Sequence, residues 1–372
     1  MTPSRCASGF FAQTDRPSVK RASCGVAALA AAATIAVALT PNNAHADEGG
    51  VGFWLPGLYG SLAAVPQVPG WALGIVNLYT PVGATGNVAA ARQVTINNIP
   101  ANVSVSLNAT LHASPDLVLV NPTYVFATPV LGGQFALSMA GAAGRSIASI
   151  DGTLTVATGG GFFAQRQGGI ADARDGFSDL YPSATLRWNS GVNNFMIYGS
   201  GDIPVGTYDA NRLANLGIGH GAADGGVGYT YFDPKTGHEF SVVTGLTYNL
   251  VNQNTGYQNG IDWHLDWGLS QFLSKQLQVG LVGYVYDQLT ADSGCLPALC
   301  PFKSRTVGFG PQVGVIIPGP SFQTYLNVKA YWDVDTQDRA SGASAWVTLA
   351  FSPNPPSAES PPAMATRALS NR

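Results

Sequence analysis

The sequence contains few charged residues. Asp, Glu, Lys and Arg together make up 10% of its 372 residues, whereas ordinary soluble domains carry roughly 25%. A soluble protein of this length covers most of its surface with polar and charged side chains. We therefore expect much of the outer surface of this protein to face something other than water.

Long apolar runs are also scarce. The mean hydropathy is +0.13, and only residues 25–39 approach the roughly 20 apolar residues of a membrane-spanning helix. Four basic residues precede this run: Arg5, Arg16, Lys20 and Arg21. Ala44-His45-Ala46 follows it and has the A-x-A pattern of a cleavage site. This order predicts a cleaved signal peptide over residues 1–46, rather than a membrane anchor, and an exported protein.

Basic residues and cysteines are few in the predicted mature chain. Residues 1–46 hold four of the 18 basic and one of the 21 acidic residues, which leaves 14 basic against 20 acidic and a net charge of −6. This balance gives no basic patch, so no nucleic-acid partner is predicted. Cys295 and Cys300 lie close together in "DSGCLPALCPF". In an oxidising compartment a loop disulfide is favoured; a metal site is the alternative, for which nearby His ligands are missing.

Alternation of apolar and polar residues is the main pattern that the sequence does contain. In "IDWHLDWGLS", Trp263, Leu265 and Trp267 share one face, and Asp262, His264 and Asp266 share the other. Similar alternation continues over ten or more residues in several segments. Soluble strands are usually shorter, but a tilted strand that spans a bilayer has roughly 9–11 residues. The low mean hydropathy fits such strands, because only one of their faces meets lipid.

The pattern predicts an all-β fold, an antiparallel transmembrane β-barrel of the outer membrane with about 14 strands. The strands are expected near 71–80, 102–112, 116–127, 134–142, 147–158, 181–189, 193–200, 226–232, 238–250, 261–272, 276–287, 305–316, 322–333 and 343–351. Loss or merging of a pair, with 147–158 and 226–232 the weakest, would leave 12. A soluble β-sandwich or propeller also alternates, but would not place tryptophans on an apolar face with so few charges nearby.

The connections between these strands support a barrel. Short periplasmic turns are expected at 113–115, 142–145, 190–192, 233–237, 273–276 and 318–321, and long outer connections at 81–101, 159–180, 201–225, 251–260, 288–304 and 334–342. Outer-membrane barrels have short periplasmic turns and longer outer loops. A short outer connection at 128–133 is the exception to this alternation. Residues 71–351 would form the barrel, and the Pro-rich tail 352–372 is expected to be disordered.

Residues 47–70 precede the first predicted strand and have an unusual composition. "DEGGVGFWLPGLYGSLAAVPQVPGW" has too many Gly and Pro for a helix or central strand and too many apolar residues for an exposed linker. Lipid cannot receive an irregular backbone, because the polar groups of the backbone would go unpaired. We therefore predict that four residues enter the lumen as a plug or gate: Trp54, Leu55, Leu58 and Tyr59. Packing across the periplasmic rim is the alternative.

Long blocks of the sequence resemble the outer-membrane protein family named for the meta-pathway of phenol degradation. The blocks are "EGGVGFWLPGLYGSLAAVPQVPGW", "PVGTYDANRLANLGIGH", "TYNLVNQNTGYQNGIDWHLDWGLSQFL", "VGLVGYVYDQLTADSG" and "FGPQVGV", in that order. The resemblance implies a transporter-like β-barrel related to porins and long-chain fatty-acid channels. It also implies location in the outer membrane of a Gram-negative bacterium. A closing strand that ends at Phe351 resembles the signal read by the outer-membrane assembly machinery, which is an expected partner together with outer-membrane lipid.

The candidate functional residues are predicted to line or cover a pore. The lumen lining is expected to include Asp262, His264, Asp266, Tyr284, Tyr286, Tyr325 and Lys329. Tyr mixed with amides suits small hydrophobic or aromatic compounds better than ions. A hydrogen-bonded loop network is expected from Asp209, Asn211, Arg212 and Asn215, either folded over the pore or acting as a structural cap.

The predicted function is passive uptake of small hydrophobic or aromatic compounds by a non-enzymatic channel without a cofactor. Two alternatives from other classes remain. A structural or surface-interaction barrel would transport nothing. An outer-membrane lipid hydrolase would use His112 and Ser114, whose H-x-S spacing suits a base and a nucleophile, although no motif supplies the orienting acid that such a pair needs.

Overall fold

The computed structural model describes residues 52–85, 103–158, 163–294 and 303–355. The predicted signal peptide, Cys295 and Cys300, and most of the tail lie outside these residues, so those predictions stay predictions. Within the described residues, no helix is long and apolar enough to cross a bilayer. The described elements are all β-strands.

The 14 strands form one sheet. They are β1 (Gly70–Tyr79), β2 (Val82–Thr85), β3 (Val103–Ala113), β4 (Asp116–Val125), β5 (Gln134–Thr158), β6 (Phe163–Ser190), β7 (Asn193–Asp202), β8 (Ala222–Asp233), β9 (His238–Asn249), β10 (Asp262–Phe272), β11 (Leu277–Gln288), β12 (Arg305–Pro318), β13 (Phe322–Gln337) and β14 (Ser341–Pro353).

Twelve of these strands close into an antiparallel barrel. β1 pairs with β4 on one side and with β14 on the other, and β4 pairs with β5. From β5 onward each strand pairs with the next in the chain, as far as β14. Closure leaves the ring of barrel strands without a free edge. The predicted barrel is therefore confirmed, with 12 strands in the ring, the number given as the alternative to 14.

The two remaining strands, β2 and β3, form an extension at one end of the barrel. β2 pairs with the first two residues of β14, and β3 pairs with the C-terminal part of β5, from Ala148 to Thr158. The predicted strand 102–112 is therefore real but lies outside the ring. The link at 113–115 joins β3 to β4 at this end of the barrel, and was wrongly predicted as a periplasmic turn.

The predicted turn at 142–145 is also wrong, because β5 runs unbroken through it. The sequence "AAGR" suggests a turn, but Gly144 serves a close approach of two strands. A Cβ atom at Gly144 would lie 2.1 Å from the backbone oxygen of Asp116 on β4. β5 has only a register shift between Gly141 and Ala143. The predicted strands 134–142 and 147–158 are one strand.

This merger changes the direction of the neighbouring connections. Most of the predicted loop 159–180 is the first half of β6, paired with β5. The short connection at 128–133 lies at the same end of the barrel as the turns at 191–192, 234–237 and 273–276. This connection therefore belongs with the short turns and is not an exceptionally short outer connection. All short turns of the ring now share one end, except for the turn at 338–340 between β13 and β14.

The alternation of side chains sets the two faces of the barrel wall. In β10, Asp262, His264 and Asp266 are buried, whereas Leu269 is half exposed. Apolar side chains exposed on the outward face include Leu246, Leu281, Phe309, Trp332 and Val347. The barrel therefore has an apolar exterior, and many polar side chains face its interior, unlike the arrangement in a soluble protein.

Candidate functional site

Residues 52–69, which we call the lumenal segment, lie inside the barrel. Trp54 is only 2% exposed and packs with Tyr198, Val243 and Tyr286. Leu55 packs against a second cluster, which contains Val282 and Trp346. Tyr59 is partly buried beside Trp54, and Leu58 is 39% exposed toward cavities described below. The contacts come from strands on opposite sides of the ring, so the segment occupies the lumen.

One acidic side chain holds the first turn of the segment. The carboxylate of Asp266 accepts hydrogen bonds from the amides of Gly57 and Tyr59, each at 3.0 Å. Lys329 Nζ and the hydroxyl of Tyr331 donate to the carbonyl of Gly57, at 2.8 and 3.2 Å. A turn that offers amides and a carbonyl to the wall thus meets an acceptor and two donors.

Further polar side chains hold the following residues. Ser61 Oγ lies 2.7 Å from Ser270 Oγ. The amide of Leu62 donates to Glu239 Oε1 at 2.9 Å, and the amide of Ala64 donates to Thr230 Oγ1 at 3.0 Å. We call the side chains that bind the segment from β8 to β13 the anchoring wall: Thr230, Glu239, Asp266, Ser270, Gln312, Lys329 and Tyr331.

Two glycines allow the segment to lie against this wall. Gly57 has a φ of 87°, which disfavours other residues, and a Cβ there would lie 2.8 Å from the ring of Tyr331. Gly268 faces inward on β10, and a Cβ there would lie 2.7 Å from the backbone nitrogen of Ser61. Neither position accepts a larger side chain without a shift of the segment.

A stack of aromatic rings covers a buried His–Asp pair. The Trp54 and His264 rings are 3.5 Å apart between centroids and inclined by 12°. His264 Nε2 lies 2.8 Å from Asp224 Oδ2, and neither side chain is exposed. Asp224 also accepts a hydrogen bond from Thr247 Oγ1 at 2.5 Å. The pair serves to hold the ring on which Trp54 rests.

The other predicted lining residues also face the lumen. Asp262 is fully buried and accepts a hydrogen bond from Asn249 Nδ2 at 2.7 Å. The hydroxyl of Tyr284 donates to Asp333 Oδ1 at 2.6 Å, and Gln278 Nε2 donates to the hydroxyl of Tyr325 at 2.8 Å. Tyr286 is 1% exposed, with the Arg339 guanidinium 4.5 Å from the ring centroid.

Two apolar cavities lie on the side of the segment away from the anchoring wall. One has a volume of about 550 Å³ and reaches the short-turn end, at Val68, Leu73 and Phe351. The other has a volume of about 230 Å³ and reaches the extension at Leu111 and the connection between β7 and β8 at Leu213. Seven residues line both cavities: Phe53, Leu55, Leu58, Val76, Leu119, Tyr181 and Trp346. We call the three that lie on β1, β4 and β14, namely Val76, Leu119 and Trp346, the open wall.

The predicted loop network lies above these cavities and has an additional partner. Asn215 Oδ1 accepts from the amide of Asp209 at 2.9 Å, and Asp209 Oδ1 accepts from the amide of Asn211 at 2.9 Å. Arg212 donates from Nε and Nη2 to both oxygens of Asp172 on β6, at 2.9 and 2.5 Å. These hydrogen bonds hold the pKa of the Arg212 guanidinium above its ordinary value.

The network folds its loop inward, against the extension. Leu213 and Ala214 are buried beside Leu111 and Ile150. Leu213 also lines the smaller cavity, so the loop covers part of the lumen at this end. His112, by contrast, has an exposed side chain on β3, and Ser114 follows the end of that strand.

Several residues of the site escaped the sequence-based prediction. Asp224 and Glu239 lie on inward faces of β8 and β9, where an acidic residue alternating with small or apolar residues is the only signal. Phe53, Tyr181 and Trp346 divide or line the cavities. Trp346 belongs to the alternating closing strand. Its position between the outward-facing Ala345 and Val347 could have predicted that it faces the lumen.

Comparison with known proteins gives a family and a fold. The family model described as "Putative MetA-pathway of phenol degradation" matches residues 99–349. The crystal structure of an outer-membrane channel from Pseudomonas putida F1 is similar with a TM-score of 0.52 at 12% identity, over 80% of this chain and 98% of that chain. A Pseudomonas aeruginosa FadL homologue aligns with a TM-score of 0.35 at 9% identity, over 84% and 96%. No curated protein sequence matches the chain.

Proposed function

Because the chain belongs to the family described as "Putative MetA-pathway of phenol degradation", we propose that it is an outer-membrane channel for passive uptake of small hydrophobic or aromatic compounds. The observation that carries the proposal is the pair of apolar cavities that meet at Phe53, Leu55 and Leu58. Together they extend along the open wall from the extension to the short-turn end. No cofactor or catalytic group takes part in such diffusion.

The lumenal segment is the gate of this channel. Leu55 and Leu58 separate the two cavities and are carried by a backbone that the anchoring wall holds through hydrogen bonds. A small displacement of the segment would join about 230 Å³ and about 550 Å³ of apolar space. Clefts of roughly 300–1,000 Å³ accommodate small organic molecules.

The proposed location follows from the exterior of the barrel and from the predicted signal peptide. The exposed apolar faces need lipid, and closed barrels satisfy the backbone hydrogen bonds within it. The short-turn end would face the periplasm. Cleavage after Ala46 would place the lumenal segment close to the mature N-terminus.

A disulfide that locks the segment tests the proposal. Ser61→Cys with Ser270→Cys, in a chain with Cys295 and Cys300 replaced by Ser, should cross-link, since the two Oγ atoms are 2.7 Å apart. Uptake of radiolabelled naphthalene should fall to the level of the deletion strain and recover with dithiothreitol. Each single Cys variant is the control. Equal uptake by deletion and complemented strains would remove the channel function.

The dense hydrogen bonding of the segment favours a second candidate function, a structural barrel that transports nothing. Asp266, Glu239, Thr230 and Lys329 all bind the backbone of the segment. A permanent filling would give no conductance in planar bilayers under any condition. A channel instead shows openings, and the disulfide lock abolishes them.

A further inference from the structure

A third cavity, with a volume of about 320 Å³, borders the lumenal segment and is lined by two cations. Arg187 and Lys329 line it from β6 and β13, and their exposed fractions are only 8% and 5%. The neutral polar groups around them include Asn121, Thr185, Gln312 and Asn327. Among the described residues, the lining contains no carboxylate.

The hydrogen bonds of the two cations are made to neutral acceptors. Arg187 donates to Thr185 Oγ1 at 2.6 Å and to the carbonyl of Ala63 at 3.4 Å. Lys329 donates to the carbonyls of Gly57 and Leu58, at 2.8 and 3.5 Å. The charge of the Asp266 carboxylate acts on Lys329, but its oxygens accept the amides of Gly57 and Tyr59 and not the ammonium group. Arg187 forms no ion pair with any described carboxylate.

Burial of two cations beside a single carboxylate leaves an excess positive charge, which is costly unless an anion completes the site. The cavity adjoins the apolar cavity of about 550 Å³, and the two share Leu58, Tyr59 and Leu62 on the segment. A ligand with a charged group and an apolar body could therefore place the charged group in this cavity and the apolar body in the adjoining one.

The geometry points to a binding site for an amphipathic organic anion, with its carboxylate on Arg187 and Lys329 and its apolar body in the larger cavity. This inference rests on the proposed channel function and names the substrate class. It separates organic acids from the neutral compounds of equal size that the apolar cavities alone would accept.

The site also couples binding to the gate. The carbonyls of Gly57 and Ala63 are held by the same two cations that would receive the carboxylate. A charged acceptor forms hydrogen bonds about twice as strong as those of a neutral carbonyl. The anion therefore displaces these carbonyls and loosens the lumenal segment, so the substrate itself favours opening.

Binding of a matched acid and alcohol tests the site. The purified full chain in a non-ionic detergent is titrated with 4-phenylbutyrate and with 4-phenylbutanol, which share one apolar body, by calorimetry. The acid should bind about tenfold more tightly, the value of one charged hydrogen-bonded contact. Arg187→Gln and Lys329→Gln should each reduce this preference, measured as the ratio of the affinities for acid and alcohol in the same variant. Arg187→Lys should retain part of it.

Lys275→Gln removes an exposed lysine in the turn at 273–276 and is the charge-matched control; it should change nothing. Equal affinity for acid and alcohol, or a preference that both Gln variants retain, would overturn the anion site. Naphthalene uptake separates the two proposals. Normal uptake without an acid preference would support the channel function and contradict the anion site. An acid preference without any uptake would support the anion site and contradict the channel function.

Labelling of a buried cysteine tests the coupling to the gate. Ala64 is 0% exposed, and Ala64→Cys, with Cys295 and Cys300 replaced by Ser, should react slowly with a maleimide. Saturating 4-phenylbutyrate should accelerate labelling, whereas saturating 4-phenylbutanol should not. Acceleration by both compounds, or by neither, would contradict release of the segment by the carboxylate.

Discussion

The anchoring wall and the open wall contact the lumenal segment in different ways. The anchoring wall binds its backbone through carboxylates, hydroxyls and an ammonium group. The open wall presents Val76, Leu119 and Trp346 and leaves apolar cavities beside the segment. The contacts that hold the segment and the apolar space beside it thus lie on adjacent sides of one barrel, which meet where β13 pairs with β14. A change to the anchoring wall should move the segment, and a change to the open wall should alter the passage while the segment stays.

Removal of the lumenal segment should have the largest effect on this comparison. A chain that lacks residues 52–68 loses every contact of the segment with the anchoring wall, while all the strand pairs of the barrel remain. Conductance in planar bilayers should rise at least tenfold over that of the full chain. The heat-modifiable gel migration that is typical of folded barrels should persist. An unchanged conductance in a folded barrel would show that the segment does not close the lumen.

Asp266→Ala should release the segment without removing it. The substitution leaves the amides of Gly57 and Tyr59 without their acceptor, at a cost of about 1–3 kcal/mol for each buried group. Labelling of the Ala64→Cys variant should accelerate by at least about tenfold. Asp287→Ala, on the outward face of β11, is the control and should not change the rate. Slow labelling in the Asp266 variant would mean that the other contacts suffice.

Leu119→Trp should narrow the passage while the segment stays in place. Leu119 lines both apolar cavities from β4, and a larger side chain fills space there without touching the hydrogen bonds of the anchoring wall. Naphthalene uptake should fall several-fold, while labelling of Ala64→Cys stays slow. Val118→Trp places the same side chain on the outward face of β4, where Val118 is 43% exposed, and should leave uptake unchanged.

Arg212→Ala should have the smallest effect. It removes the paired hydrogen bonds to Asp172, which lie at a solvent-exposed site and therefore contribute little to stability. Protease cleavage within 203–221 should become faster, and the difference should shrink at high salt. Arg174→Ala, which removes a single hydrogen bond to Asn215, should have a smaller effect. Equal cleavage of Arg212→Ala and the unaltered chain would show that Leu213 and Ala214 alone hold the loop.

Alternation was sufficient to predict the barrel and the inward faces, because a strand has a period of two whatever its neighbours are. It placed Asp262, His264 and Asp266 on one face, and the structure has them there. It failed at Gly144, where a glycine that admits a neighbouring backbone has the same sequence signal as a glycine in a turn. This misread turn divided β5 into two predicted strands, and the other strand missing from the predicted ring, 102–112, is β3 of the extension.

The partners of the lumenal segment could not be predicted in the same way. Its composition indicated burial in a lumen, but the contact between Gly57 and Asp266 joins residues 209 positions apart. Such contacts depend on which strands lie opposite one another once the ring of strands has closed. The loop network shows the same limit: the bonds within 209–215 follow from local spacing, whereas the bond to Asp172 on β6 does not.

The lengths of β5 and β6 determine what an arriving molecule meets first. β5 has 25 residues and β6 has 28, whereas a spanning strand needs roughly 9–11. The upper halves of both strands, with β2 and β3, form a hydrogen-bonded wall that would stand above the lipid on one side of the mouth, because β7 pairs with β6 only from Ser183 onward. A wall of sheet is stiffer than a set of loops. An arriving molecule therefore meets a fixed surface outside the bilayer before it reaches any side chain of the lumen.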